Sequence, residues 1–118
     1  MSNETLTSKE AVAQTWVRAL SDLDLFAQLC SADCQVWHSN DNLWVTVQQA
    51  VDAAKARPDF PEFVDPRVTM TDAGFIVQSS VSLELGGHAQ QLHILQVTDV
   101  VDGKVVRVQE YISPEMPI

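Results

Sequence analysis

Positive charge, cysteine and glycine are all scarce in this chain. Seven Lys and Arg stand against sixteen Asp and Glu in 118 residues, a formal charge of −9. Such a surface repels phosphate backbones and anionic lipid, so neither nucleic acid nor membrane is an expected partner. The two cysteines, Cys30 and Cys34, are too few for a disulfide framework and read as a reduced, buried or half-buried pair. His38, His88 and His93 lack the usual zinc spacings, so no metal is expected. With four glycines there is no glycine-rich phosphate loop and no other cofactor motif. No apolar run approaches the ~20 residues that span a bilayer. Met1 to Leu6 is polar and lacks the apolar stretch of a signal peptide, so the expected location is the cytoplasm. No linker, repeat or low-complexity tract divides the chain, and its 46% hydrophobic content suits one domain over residues 1–118.

What is present is regular patterning. Thr7-Ser8-Lys9-Glu10 has the form of a capping box, and Val12, Ala13, Trp16, Val17, Ala19 and Leu20 follow at helical spacing, predicting a helix from Ser8 to Leu20. Ser21-Asp22-Leu23-Asp24 opens a second, shorter helix that turns Leu23, Phe26, Ala27 and Leu29 inward. Gln35 to Ser39 reads as a short strand and Asn40-Asp41-Asn42 as a turn. Thr46-Val47-Gln48-Gln49 is a second capping box, starting a helix that Pro58 stops. A loop from Pro58 to Pro66 leads to a strand at Arg67 to Thr71. Phe75, Val77, Val81, Leu83 and Leu85 then alternate with polar residues along a half-buried strand.

Residues 88–112 form a hairpin around Asp102-Gly103, the strongest short-range hairpin signal. Regular pairing sets Val97 against Val108 and Leu95 against Glu110, with His93 diagonal to Glu110. Val106, Val108, Glu110 and Ile112 are the more apolar set of the last strand and are taken as inner. A two-residue Gly86-Gly87 turn would pair Leu92 with Val81 and turn His93 outward; a three-residue loop or a bulge keeps His93 inside. The second arrangement is the expected one, leaving Leu92, Ile94, Val100, Val105 and Tyr111 as an outer apolar patch of the kind that meets a partner subunit. Turns this short suit an antiparallel sheet, and helices followed by a meander suit an α+β architecture of order α-α-β-α-β-β-β-β.

This layout, with Ala11-Val12-Ala13-Gln14-Thr15-Trp16-Val17-Arg18-Ala19-Leu20, Val36-Trp37-His38 and Asp102 to Tyr111, resembles the SnoaL-like branch of the nuclear transport factor 2-like superfamily over nearly the whole chain. The resemblance implies a cone of curved antiparallel sheet wrapped over three helices around an apolar pocket, with a homodimer formed through the outer sheet face. Its members include ketosteroid isomerase, polyketide cyclases, epoxide hydrolases and non-catalytic pockets, so function must come from the site. Against the isomerase pattern, Trp16 stands at the oxyanion-binding tyrosine, His38 at the aspartate base and Leu95 at the protonated aspartic acid. None of the three matches, and the epoxide-hydrolase arrangement finds no inward arginine in the strands.

The resemblance sets His38 at the base position with His93 and Glu110 on neighbouring inner positions, which makes His38 and Glu110 the candidate catalytic pair. A histidine suits proton transfer near neutrality, and a carboxylate can orient it or stabilise its charged form. Trp16, Trp44, Val81, His93, Leu95, Val97 and Val108 are the expected lining of a site for a small apolar molecule. A lyase, isomerase or hydrolase acting on a small apolar carbonyl or cyclic compound is one reading. A non-catalytic module that binds a hydrophobic ligand or serves assembly is the other.

Overall fold

The computed structural model describes residues 8–57 and 61–115. Its elements are α1 (Ser8–Ala19), α2 (Leu25–Leu29), β1 (Cys30–His38), β2 (Leu43–Thr46), α3 (Val47–Lys55), β3 (Val64–Met70), β4 (Gly74–Leu85), β5 (His88–Val101) and β6 (Lys104–Pro114). The polar first residues, Thr7 of the first capping box and the Pro58 break lie outside the described residues. Among those described, no helix is long and apolar enough to cross a membrane.

At the second capping box the Thr46 hydroxyl accepts from the Gln49 backbone N–H at 3.1 Å, and the Gln49 side chain accepts from the Thr46 N–H at 2.9 Å. Two otherwise orphaned donors are thereby satisfied at the start of α3. The end of this helix is tied to the α2 entrance by the Lys55–Asp24 ion pair, and that hydrogen bond raises the Lys55 ammonium above its ordinary range.

Six strands form one curved sheet in the order β2-β1-β6-β5-β4-β3. The antiparallel expectation holds for every neighbouring pair except one, because β1 lies parallel to β6 in the middle of the sheet. Parallel neighbours need a long crossover, and here the chain from β2 to β5 supplies it. The structure also has a strand more than expected: β2 pairs with β1 immediately after the Asn40–Asn42 turn. Four residues carry too little periodicity to reveal it.

The orientation of β5 is the main correction. Gly86 and Gly87 both have positive φ and make a two-residue turn, so Leu85 pairs with His88 and Val81 with Leu92. A bulge follows near the Asp102-Gly103 turn. Val101 pairs with Lys104 and Val100 with Val105, but Asp99 pairs with Arg107, leaving Val106 as the extra residue. Beyond it Thr98, not Val97, opposes Val108, and Gln96, not Leu95, opposes Glu110. His93, Leu95 and Val97 consequently face outward.

The expected outer patch is corrected with them. Ile94 and Val105 are buried, Val100 packs against the core, Leu92 lines the interior, and Tyr111 alone of the five lies on the outer face. The core between helices and sheet gathers Val12, Ala13, Trp16 and Leu20 of the N-terminal helix and its end against Phe75, Val77 and Val108. Trp16 meets Phe26 edge to face at 4.6 Å and Phe75 at 5.8 Å, geometries that favour aromatic pairs.

Candidate active site

Three neighbouring strands carry one polar row across the inner face. His38 on β1 is the register partner of Glu110 on β6, and Glu110 is the partner of Gln96 on β5. The adjacent rows are mainly apolar: Val36, Val108, Thr98 and Phe75 on one side, Ile112, Ile94 and Ser79 on the other. Side chains repeat every second residue on a strand, so this register alone brings imidazole, carboxylate and carboxamide together.

The three groups form a directed network with α1. The Trp16 indole Nε1–H donates to Gln96 Oε1 at 2.9 Å, and Gln96 Nε2 donates to Glu110 Oε2 at 2.8 Å. His38 Nε2 approaches Glu110 Oε1 at 3.3 Å. Because an indole only donates, the Trp16 contact determines which end of the Gln96 amide faces Glu110. A carboxylate beside an imidazole favours the form with a proton on the ring nitrogen that faces it. Trp16 is 3% exposed and Gln96 6%, while the side chains of Glu110 and His38 are 14% and 25% exposed. Burial thus falls along the network from Trp16 in the core to His38.

The far end of β1 is held in place around His38. The Ser39 N–H donates to the Glu110 carbonyl at 2.9 Å, and the Ser39 hydroxyl accepts from the Ile112 N–H at 2.8 Å. Asn42, with φ of 59°, donates its N–H to the His38 carbonyl at 2.8 Å, and its side chain accepts from Trp37 Nε1 at 2.8 Å. These contacts turn the chain back into β2 and leave Asn40 and Asp41 at the rim.

The network opens on a chamber of about 380 Å³ between α2, α3 and the sheet, in the lower part of the range of roughly 300–1,000 Å³ for small-molecule sites. Of the residues expected at the site, Trp16, His38, Val81, Val108 and Glu110 line it. The others lie elsewhere. His93 is exposed and pairs with Glu115 at 3.2 Å, and Leu95 and Val97 share its outward face. Trp44 is 45% exposed beneath the Arg107 guanidinium, 5.7 Å from its ring centre, because β2 pairs it with the outward Trp37. Gln96, which lines the chamber and bonds both Trp16 and Glu110, is the residue that sequence reasoning missed; the two-residue Gly86-Gly87 turn was the signal for it.

Cys30 and Cys34 are both free and buried in the core. Their mutual hydrogen bond raises the Cys30 thiol above its ordinary range, with burial adding to the effect, and lowers that of Cys34. Among the described residues no cluster of three or more metal-ligating side chains includes them.

No protein-family model matches the chain, and neither does any curated protein. Solved structures do match. A nuclear transport factor 2-like protein of unknown function from Burkholderia xenovorans superposes with a TM-score of 0.74 at 15% identity, covering 94% of this chain and 87% of that one. A protein with a ketosteroid isomerase-like fold from Catenulispora acidiphila, in complex with trimethylamine, gives 0.67 at 13% identity over 86% of this chain and 85% of that one. An M. tuberculosis LEH-like epoxide hydrolase gives 0.67 at 15% identity, covering 90% and 83%. The chain has the fold of the nuclear transport factor 2-like and SnoaL-like superfamily. That fold hosts several chemistries, and identities this low establish the architecture alone.

Proposed function

We propose that this chain is a small-molecule chamber protein of the SnoaL-like type in which His38 is a general acid–base, with Glu110 as its partner, acting on a small apolar carbonyl or cyclic compound. The observation that carries this reading is the convergence of His38, Glu110 and Gln96 inside a chamber whose remaining walls are mainly apolar. In this reading Glu110, 3.3 Å from Nε2, orients the imidazole and favours a proton on that nitrogen, so that Nδ1 takes a proton from carbon or water and later returns it. Gln96, tied to Trp16, stops the carboxylate from rotating away. Neighbours in the fold include an epoxide hydrolase and a trimethylamine complex, which supports a ligand-holding role for the chamber.

A panel of small cyclic ketones, lactones and epoxides provides the test. Replacing His38 by Ala is expected to lower turnover of any substrate found by about 100- to 10,000-fold, the usual contribution of a positioned acid–base group, with the circular dichroism unchanged. Undiminished turnover removes His38 from the mechanism. Binding without turnover in the parent protein favours the non-catalytic reading.

The same proposal includes a homodimer through the outer sheet face and a cytoplasmic setting. Tyr111 is exposed there and packs against Trp37 at 5.1 Å, with half-buried Leu95 and Val97 on the neighbouring strand. The free thiols fit a reducing compartment. Sedimentation is expected to give a dimer at micromolar concentration and a monomer for Tyr111→Asp. A monomeric parent protein would overturn the dimer.

A further inference from the structure

The charge distribution of the chamber points to the kind of molecule it takes, an inference that rests on the proposed ligand site. Glu110 is the most enclosed charged side chain in the lining. Its side-chain partners are the Gln96 carboxamide and the His38 imidazole, and among the described residues no lysine or arginine forms an ion pair with it. The other fully charged groups of the lining, Asp41 and Arg57, are both exposed, and they are opposite in sign. Around them the chain as a whole carries −9. An anionic ligand would therefore enter against a carboxylate in a partly desolvated site, where charge interactions are stronger than in water.

A cation meets the reverse situation. Glu110 has lone pairs beyond the hydrogen bond it accepts from Gln96, since an ionised carboxylate offers about four acceptor positions. Trp16, Phe26 and Phe63 supply aromatic surface in the same chamber, and aromatic faces attract cations. Leu20, Val81, Leu92, Ile94 and Ile112 supply the wall for an apolar body.

We propose that the chamber binds an apolar, cyclic molecule bearing a basic nitrogen, with its ammonium group paired to Glu110 and its hydrocarbon body against the aliphatic wall. Binding leaves Nδ1 of His38 free, so the ligand can also be the substrate of the acid–base step.

Three probes of matched shape test this by calorimetry at neutral pH: cyclohexylmethylamine, cyclohexylmethanol and cyclohexanecarboxylate. The amine is expected to bind about tenfold more tightly than the alcohol, a desolvated charge and cation–π contribution, and the carboxylate more weakly than either. Glu110→Gln, which keeps side-chain volume, is expected to remove the advantage of the amine over the alcohol. Equal binding of amine and alcohol, tightest binding of the carboxylate, or an amine preference that survives Glu110→Gln would each overturn the charge assignment while the chamber still binds. If none of the three binds at millimolar concentration, the ligand-site reading falls with it. Turnover of His38→Ala is a separate readout, so the catalytic proposal stands or falls independently.

Discussion

Replacing Gln96 by leucine is expected to destabilise the fold by about 3 to 5 kcal/mol, a large share of the roughly 5–15 kcal/mol that holds a domain together. Leucine is close to glutamine in size, so the loss comes from unpaired polar groups, with little contribution from a cavity. The Trp16 indole N–H, buried among Phe26, Phe75 and Leu20, loses its Gln96 acceptor. An orphaned buried donor costs about 1–3 kcal/mol. Glu110 at the same time loses the 2.8 Å bond from Gln96 Nε2, and hydrogen bonds to charged groups contribute about 1.5–3 kcal/mol. Guanidinium unfolding reads the difference directly. A loss below about 1 kcal/mol would mean that Trp16 and Glu110 find other partners, and that Gln96 does not organise the site. Trp16→Phe is informative beside it, because it orphans Gln96 Oε1 while leaving the bond to Glu110 in place.

The fate of Gln96 shows which information local sequence carries. The capping box at Thr46 to Gln49 and the Asp102-Gly103 turn are local signals, and each stands where the residues place it. The alternation of β4 likewise puts Phe75, Val77 and Val81 inside. Glu110 and Ile112 were legible as inner residues because β6 is regular beyond the bulge. Val106 carries no such signal, since a bulge in a run of valines uses no glycine and no special turn residue. One extra residue there reverses every side chain of β5, exchanging His93, Leu95 and Val97 for Leu92, Ile94 and Gln96.

Long-range pairing was the other part beyond reach. Nothing near Val36-Trp37-His38 says that its neighbour is the last strand, or that the two run parallel. The juxtaposition of His38 with Glu110 came from the family resemblance. In the structure it follows from a register set between residues 72 positions apart. Trp44 was misplaced for a related reason: its direction depends on the β1 pairing that its four-residue strand does not announce.

The second large effect is expected from a single methyl group at Gly74. A Cβ there would lie 2.3 Å from the Thr98 carbonyl oxygen, 3.0 Å from its carbon and 3.2 Å from Asp99 Cα. All three are backbone atoms of β5, so no flexible side chain can swing aside. Gly74→Ala must push β4 and β5 apart at the start of β4, where hydrogen bonds hold the chain on both sides. The Gly74 N–H donates to the Thr71 hydroxyl at 2.9 Å, and the Val100 N–H donates to the Ala73 carbonyl at 2.8 Å. At the next residue the Thr98 hydroxyl accepts from the Phe75 N–H at 3.2 Å and donates to the Phe75 carbonyl at 2.8 Å. Phe75 is fully buried against Trp16, so separation also loosens the core. A cost of about 3 to 5 kcal/mol follows, since overpacking and the loss of buried hydrogen bonds add, lowering the melting temperature by roughly 10 to 20 °C. Gln96 is the next inward residue after Thr98 on β5, so the same displacement pulls its amide from Trp16 and Glu110. Gly74→Ala is therefore expected to weaken amine binding even below its melting temperature. A variant that melts within a few degrees of the parent and binds the amine as well would show that β5 yields without disturbing the polar row.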